Sequence, residues 1–196
     1  MTLLLDVTTA TLGLAYILLE WRASAWMWLV GAVMQTLGIV LYFQKGLYAD
    51  CGMEFYYLAM TAYGAYMWAV YRGKRDGSKH KLAITHAGAK EATVWVVLTL
   101  LLWYVIYRLL LLTDSTVPVA DSFTTALSVA GMWALAHKKL EQWLIWIVVD
   151  VVTCWLYFTK GIPFKASLYA LYVVIAIAGY FRWRRLMGSE TLDFRF

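Results

Sequence analysis

An all-α protein that crosses a membrane seven times is the fold class this sequence predicts, and three observations carry it. Apolar residues make up 63% of the 196-residue chain, charged residues only 15%, and the mean hydropathy is +0.65, well outside the range of a soluble domain. The apolar residues fall into runs of roughly 20, the length a helix needs to cross the hydrocarbon core. Basic residues gather in alternate connections, as the positive-inside rule requires of a chain that spans a membrane repeatedly.

The expected spans are 3–19, 26–44, 50–71, 93–112, 120–136, 141–159 and 165–183. Asp6 and several threonines weaken the first, and the fifth is short, with Asp121-Ser122 reading as its N-cap. Met1 to Leu5 carry no basic stretch, so no secretory signal peptide is expected and the first apolar segment should persist. One set of connections holds Arg22, the Arg72–Lys90 segment with Lys74, Arg75, Lys79 and Lys81 between its ends, Lys138, Lys139, Arg182, Arg184, Arg185 and Arg195. The other holds Lys45, Lys160 and Lys165. An N-terminus outside and a C-terminus in the cytoplasm follow, and the net charge of +5 reflects topology rather than nucleic-acid binding.

A shift of the sequence against itself places Trp28 on Trp143, Leu41-Tyr42-Phe43 on Leu156-Tyr157-Phe158 and Lys45-Gly46 on Lys160-Gly161. In the same register Tyr57 falls on Tyr172, Gly64 on Gly179 and Trp68 on Trp183. Spans one to three and five to seven therefore read as two copies of a three-helix unit. The expected organisation is one integral membrane domain over 1–196: a first trio in 1–71, a basic loop and linker helix in 72–112, and a second trio in 113–196. In transporters built from parallel repeats, the substrate site lies near mid-membrane where the repeats meet.

The polar residues inside the spans lie on shared helical faces. Trp143, Trp146, Asp150, Thr153 and Tyr157 recur at the spacing of one face of span six. A carboxylate at mid-membrane depth is costly, so Asp150 marks a candidate site; the alternative is a structural bond to a neighbouring helix. The register pairs Gln35 with Asp150, and span two carries Trp28, Gly31, Gln35, Gly38 and Tyr42 at the same spacing. Gly31 and Gly38 leave room for a ligand or for a packed helix. Span three presents Glu54, Tyr57, Thr61, Gly64 and Trp68 on one face. Two carboxylates among rings suit a flat, cationic, heteroaromatic molecule. The candidate substrate-binding residues are Gln35, Tyr42, Glu54, Tyr57, Thr61, Trp133, Gln142, Trp143, Trp146 and Asp150. Trp21, Trp26, Trp68, Trp95, Trp183 and Tyr71 sit near span ends and read as interfacial belt residues.

Enzyme readings find little support. His80, His86 and His137 make no metal-ligand spacing, Cys51 and Cys154 suggest no disulfide framework, and no phosphate loop or nucleophile elbow occurs. No cofactor and no metal are expected. A retinal-type photoreceptor needs a lysine deep in the last span, where only Lys165 stands, at the edge.

Lys45-Gly46-Leu47-Tyr48-Ala49-Asp50, Tyr56-Tyr57, and Tyr63-Gly64 with Tyr66 and Trp68 resemble the PnuC family of bacterial B-vitamin transporters. So do Lys138-Lys139-Leu140-Glu141-Gln142-Trp143, Trp146, Asp150, Tyr157 and Lys160-Gly161; the likeness covers about residues 10 to 185. The resemblance implies a three-plus-one-plus-three helix arrangement akin to sugar transporters of the SWEET type. It also implies a homotrimer in the bacterial inner membrane, and facilitated diffusion made one-way by a cytosolic kinase. Nicotinamide riboside carriers of this family typically show Glu-Asn-Trp where Glu141-Gln142-Trp143 stands. They tend to carry Asn in place of Asp150, and Gln and Asn in place of Glu54 and Thr61. Carboxylates in place of amides point to the thiamine-type branch, PnuT. Thiamine is accordingly the expected substrate, with nicotinamide riboside the alternative and a non-transporting ligand sensor the second alternative.

Overall fold

The computed structural model describes residues 2–44, 48–70, 82–113, 117–159 and 161–192; side chains at 2–7, 9–10, 48–50, 70 and 189–192 are outside the description. Seven helices occur among the described residues: α1 (Thr2–Trp21), α2 (Trp26–Gln44), α3 (Tyr48–Val70), α4 (Ala89–Leu110), α5 (Pro118–Ala136), α6 (Gln142–Thr159) and α7 (Pro163–Leu192). Five of them, α2, α4, α5, α6 and α7, are long and apolar enough to cross a membrane. The Lys45-Gly46-Leu47 motif, Lys160, Arg195 and most of the basic loop lie outside the described residues.

Among the helices that depart from the expected bounds, such as α4, which starts at Ala89 rather than at 93, α5 and α7 do so for identifiable reasons. α5 begins at Pro118 rather than at Asp121-Ser122, because proline at the first helical position sets φ and lacks an N–H that would be unpaired there anyway. Ser122 then lies within the helix, where its hydroxyl donates to the Pro118 carbonyl at 2.6 Å and accepts the Trp103 indole N–H at 3.1 Å. α7 continues past Arg182, Arg184 and Arg185 to Leu192. Arginines mark where the hydrocarbon ends, not where backbone hydrogen bonding does.

The chain divides into two compact units, Met1–Ala83 and Ile84–Phe196. In the first, α2 packs against both α1 and α3. In the second, α6 packs against α5 and α7, and α4 lies along α5.

Within the first unit the Trp28 indole from α2 lies on the backbone of α3 at Gly64, edge-on to Trp68 with ring centroids 5.5 Å apart. Within the second unit the Trp143 indole from α6 lies on α7 at Gly179, edge-on to Trp183 at 5.6 Å. Trp143 and Trp183 have no exposed surface at all. Lipid tails are as apolar as leucine, so helices in a bilayer are held by close packing, and a glycine notch that admits a whole indole provides it.

The turns into α2 and α6 are also alike. Ala23 and Lys138 adopt φ of 51° and 50°, and Ser24 and Lys139 each donate N–H to the carbonyl five residues back, Leu19 and Ala134. That is the bond pattern of a helix ended by a left-handed residue, a conformation costing a non-glycine roughly 1–2 kcal/mol. At the α6–α7 turn the left-handed residue is Gly161, φ 70°, with the Ile162 N–H bonded to the Tyr157 carbonyl at 2.9 Å.

A β-carbon at Gly179 would stand 2.6 Å from Trp143 ring carbons, with no room for the ring to retreat. Gly179→Ala should therefore lose about 1–3 kcal/mol of stability by overpacking. Gly188→Ala, in the same helix with nothing within 4 Å, should be neutral or gain up to ~1 kcal/mol. Thermal melts of the two variants in one detergent give the comparison.

Candidate functional site

In the first unit Gln35 on α2 and Thr61 on α3 are both buried, at 5% and 2% exposure. Gln35 Oε1 and Thr61 Oγ1 have no hydrogen-bond partner among the described residues. A β-carbon placed on Gly31 would be 3.5 Å from each, so the two oxygens converge on one small notch, whose remaining wall is the Tyr16 ring. Leaving a buried polar atom unpaired costs about 1–3 kcal/mol, so two facing one notch are unusual in a structural core. Gly38, one helical repeat further along α2, is used differently. The Glu54 side chain from α3 lies in its notch, with Cδ 2.7 Å from where a β-carbon would sit. Gly31 thus adjoins open polar groups and Gly38 receives a packed side chain. Tyr42 and Tyr57 are half-buried, and Tyr57 touches Tyr56 edge-on.

In the second unit Gln142, at the first position of α6, has no exposed surface, and neither atom of its amide finds a partner. The indole N–H groups of Trp143 and Trp146 are buried and unpaired as well. Asp150 is buried at 7% exposure. The rings on this face divide by task. Trp143 is committed to the Gly179 notch. Trp146 lies against Gly131 of α5, whose β-carbon position is 3.2 Å from the indole. Trp133 belongs to a different cluster. It meets Trp95 of α4 edge-on at 5.0 Å and stacks on His137 at 3.9 Å, while Gly131, two residues earlier and so on the opposite face, meets α6. The structure brings Gln142, Trp143, Trp146 and Asp150 onto one helix and sets Trp133 apart against α4.

One arrangement has no signal in hydrophobic periodicity. Residues 84–87 run as a strap beside the α5–α6 turn. Thr85 donates its N–H to the Lys138 carbonyl at 3.2 Å and accepts the Leu140 N–H at 3.0 Å, and Ile84 is buried beneath. Glu141 accepts from His86 Nδ1 at 2.7 Å and from the Ala87 N–H at 3.0 Å. Lys139 pairs with Glu91 at 2.9 Å, and Glu91 in turn accepts the Gly88 N–H at the start of α4. The charged residues of the Lys138-Lys139-Leu140-Glu141 motif thereby tie the strap to the first turn of α6, directly before Gln142 and Trp143. Partial burial pushes the Glu141 carboxyl up, but the His86 and Ala87 bonds outweigh it and hold it below its ordinary value of 4.5. Among the described residues no group of three or more histidines, cysteines and carboxylates is placed to hold a metal ion.

Five apolar helices of spanning length, with buried polar groups beside aromatic rings, define the class: a multi-spanning membrane protein. The chain belongs to the nicotinamide mononucleotide transporter family, whose sequence profile matches residues 3–185. It is 28% identical over 187 residues to the riboflavin/roseoflavin transporter RibM of Streptomyces davaonensis, covering 91% of this chain and 83% of that one. It is 23% identical over 191 residues to the nicotinamide riboside transporter PnuC of Escherichia coli, covering 83% of this chain and 79% of that one. The fold is similar to that in the crystal structure of the vitamin B3 transporter PnuC, with a TM-score of 0.72 and 20% identity over 92% of this chain and 80% of that one.

Because the folded-state value of Glu141 is depressed, its contribution to stability is fully present above 4.5 and is lost as the pH falls through the lower folded value. Glu141→Gln should melt below the parent at pH 5.5. That margin should shrink as the pH drops below 4.5, which melting curves across pH 3–7 check.

Proposed function

We propose that the protein is an inner-membrane carrier for a small, flat nitrogen-heteroaromatic vitamin bearing sugar-type hydroxyls, moved by facilitated diffusion and retained by phosphorylation in the cytosol. The observation that carries this reading is the pair of buried, unpaired oxygens, Gln35 Oε1 and Thr61 Oγ1, converging at Gly31. Family membership and the relatives' functions support the same class of cargo. An amide and a hydroxyl are suited to a ribose or a carboxamide, and the buried Asp150 carboxylate to a cationic ring or to a hydroxyl donor.

Nicotinamide riboside is therefore the first substrate, being both a pyridinium cation and a riboside. Riboflavin, with a ribityl chain on a neutral ring, is the second, favoured by the likeness to RibM. Thiamine, expected from the carboxylates at 54 and 150, is less well supported than nicotinamide riboside: the relatives named above carry riboflavin or nicotinamide riboside. Glu54 also lies in the Gly38 notch, a packing role that weakens its use as the second carboxylate.

In the first unit Gln35 and Thr61 serve as polar contacts in this proposal, with Tyr42, Tyr57 and Glu54 beside them; in the second, Gln142, Trp146 and Asp150 serve as polar and stacking contacts. Trp143 and Trp133 act by packing. A three-plus-one-plus-three arrangement of SWEET type is supported by the matching Trp–Gly–Trp contacts and left-handed turns. An outside N-terminus rests on the distribution of basic residues, and a homotrimer on the family resemblance.

Uptake of labelled nicotinamide riboside, riboflavin and thiamine into proteoliposomes tests the reading. Saturable uptake of nicotinamide riboside is expected, with KM raised about tenfold or more by Gln35→Leu and by Thr61→Val, since a lost buried hydrogen bond is worth about 1–3 kcal/mol. Binding without flux would indicate a sensor. Uptake in the variants equal to the parent would remove Gln35 and Thr61 from the path.

A further inference from the structure

A row of tyrosines in the second unit leads toward Asp150 from the end where α6 meets α7. Lys165, exposed on the first turn of α7, holds its ammonium 5.2 Å from the centroid of the Tyr157 ring on α6. Tyr157 stacks on Tyr169 of α7 at 5.4 Å with planes only 21° apart. Tyr169 meets Tyr172 edge-on at 5.6 Å, and Asp150 stands two helical turns from Tyr157 on the same face of α6. Exposure falls along the row, from exposed at Lys165, through the half-buried tyrosines, to the buried carboxylate.

Such a row has the properties of a staging path. A flat ring that takes the place of one partner in each of these contacts exchanges one ring contact for another of similar strength, so it moves along the row without a deep trap. The first face is already in use. An ammonium over an aromatic ring at an exposed site is held weakly enough for a ligand to displace it. What replaces it matters, because a cationic ring must approach a fixed positive charge and a neutral ring need not.

We propose that Tyr157, Tyr169 and Tyr172 form a staging subsite for the ring of the transported vitamin, and that Lys165, seated on Tyr157, acts as a specificity-determining gate that disfavours cationic rings relative to neutral ones. The subsite rests on the carrier reading given above but uses different residues from those on which that reading stands. Its ligand class is a planar nitrogen heteroaromatic able to replace one phenol ring against another. Lys165 sets the ratio between charged and uncharged members of that class, and the tyrosines set affinity for both.

The test is proteoliposome uptake of nicotinamide riboside, a pyridinium cation, and of riboflavin, a neutral ring, by the parent protein and by Lys165→Met, Tyr169→Leu and Tyr169→Phe. Lys165→Met should lower KM for nicotinamide riboside several-fold relative to riboflavin. Tyr169→Leu should raise KM for every ring substrate that is carried by about tenfold, the scale of one lost stacking contact of about 1–3 kcal/mol. Tyr169→Phe should stay near the parent. An unchanged ratio in Lys165→Met overturns the gate, and that variant is decisive even if Tyr169→Leu does not fold, since Lys165 is exposed. Parent-like KM values in Tyr169→Leu overturn the subsite while leaving the carrier reading intact. No uptake of any ring vitamin by the parent overturns the carrier reading and the subsite together. Where the parent carries only one of the two, thiamine serves as the other cation and lumichrome as the other neutral ring in the same comparison.

Discussion

The seating of an indole in a glycine notch is the contact on which the rest of each unit depends. Trp28 on Gly64 and Trp143 on Gly179 fix how α2 lies on α3 and how α6 lies on α7. The bilayer gives helices no hydrophobic reason to associate, so this shape match, with an edge-on ring pair worth about 0.5–1.5 kcal/mol beside it, sets the register. Gln35 stands seven residues beyond Trp28 on its helix, and Asp150 seven beyond Trp143. Two helical turns is about 10 Å of rise, enough to carry a polar side chain from the packed end toward the middle of the span. The anchor and the polar group are on one face because seven residues return nearly to the same direction.

That arrangement explains why expensive groups are tolerated. Buried unpaired amides, a buried unpaired hydroxyl and a buried carboxylate each work against folding, and in an ordinary core substitution by leucine would relieve the cost. Here they sit in a frame held by packing elsewhere. Glu54 fills the Gly38 notch, Trp146 covers Gly131, and the strap at 84–87 pins the turn before α6. Stability comes from those contacts, and the proposed site residues Gln35, Thr61, Gln142 and Asp150 stand apart from them. Tyr16 against Gly31 in one unit and Trp146 against Gly131 in the other show a ring and a glycine meeting between adjacent helices, with the roles of the two helices exchanged.

Much of this was legible in the sequence. Hydropathy located the helices because a bilayer leaves few alternatives to an apolar run of that length, and the internal register put Trp28, Gly64 and Trp68 in line with Trp143, Gly179 and Trp183. Spacing along one helix says which residues share a face, but not which neighbour the face meets. Trp133 therefore looked available while it packs on Trp95, and Trp143 looked like a stacking surface while its ring is spent on Gly179. The start of α5 depended on Pro118 rather than on the polar Asp121-Ser122 pair. The strap was invisible because one backbone pairing between Thr85 and the 138–140 turn leaves no periodic trace. Tyr169 could have been found from its spacing to Lys165 and Tyr172, four and three residues away on one face of α7.

The central claim is that the polar notch at Gly31 exists to hold the cargo. The most direct measurement is a density map of the protein saturated with the vitamin it carries. Ligand density within hydrogen-bond distance of Gln35 Oε1 and Thr61 Oγ1 is the predicted result. Ligand density elsewhere, with those two oxygens still unpaired against Gly31, would contradict it.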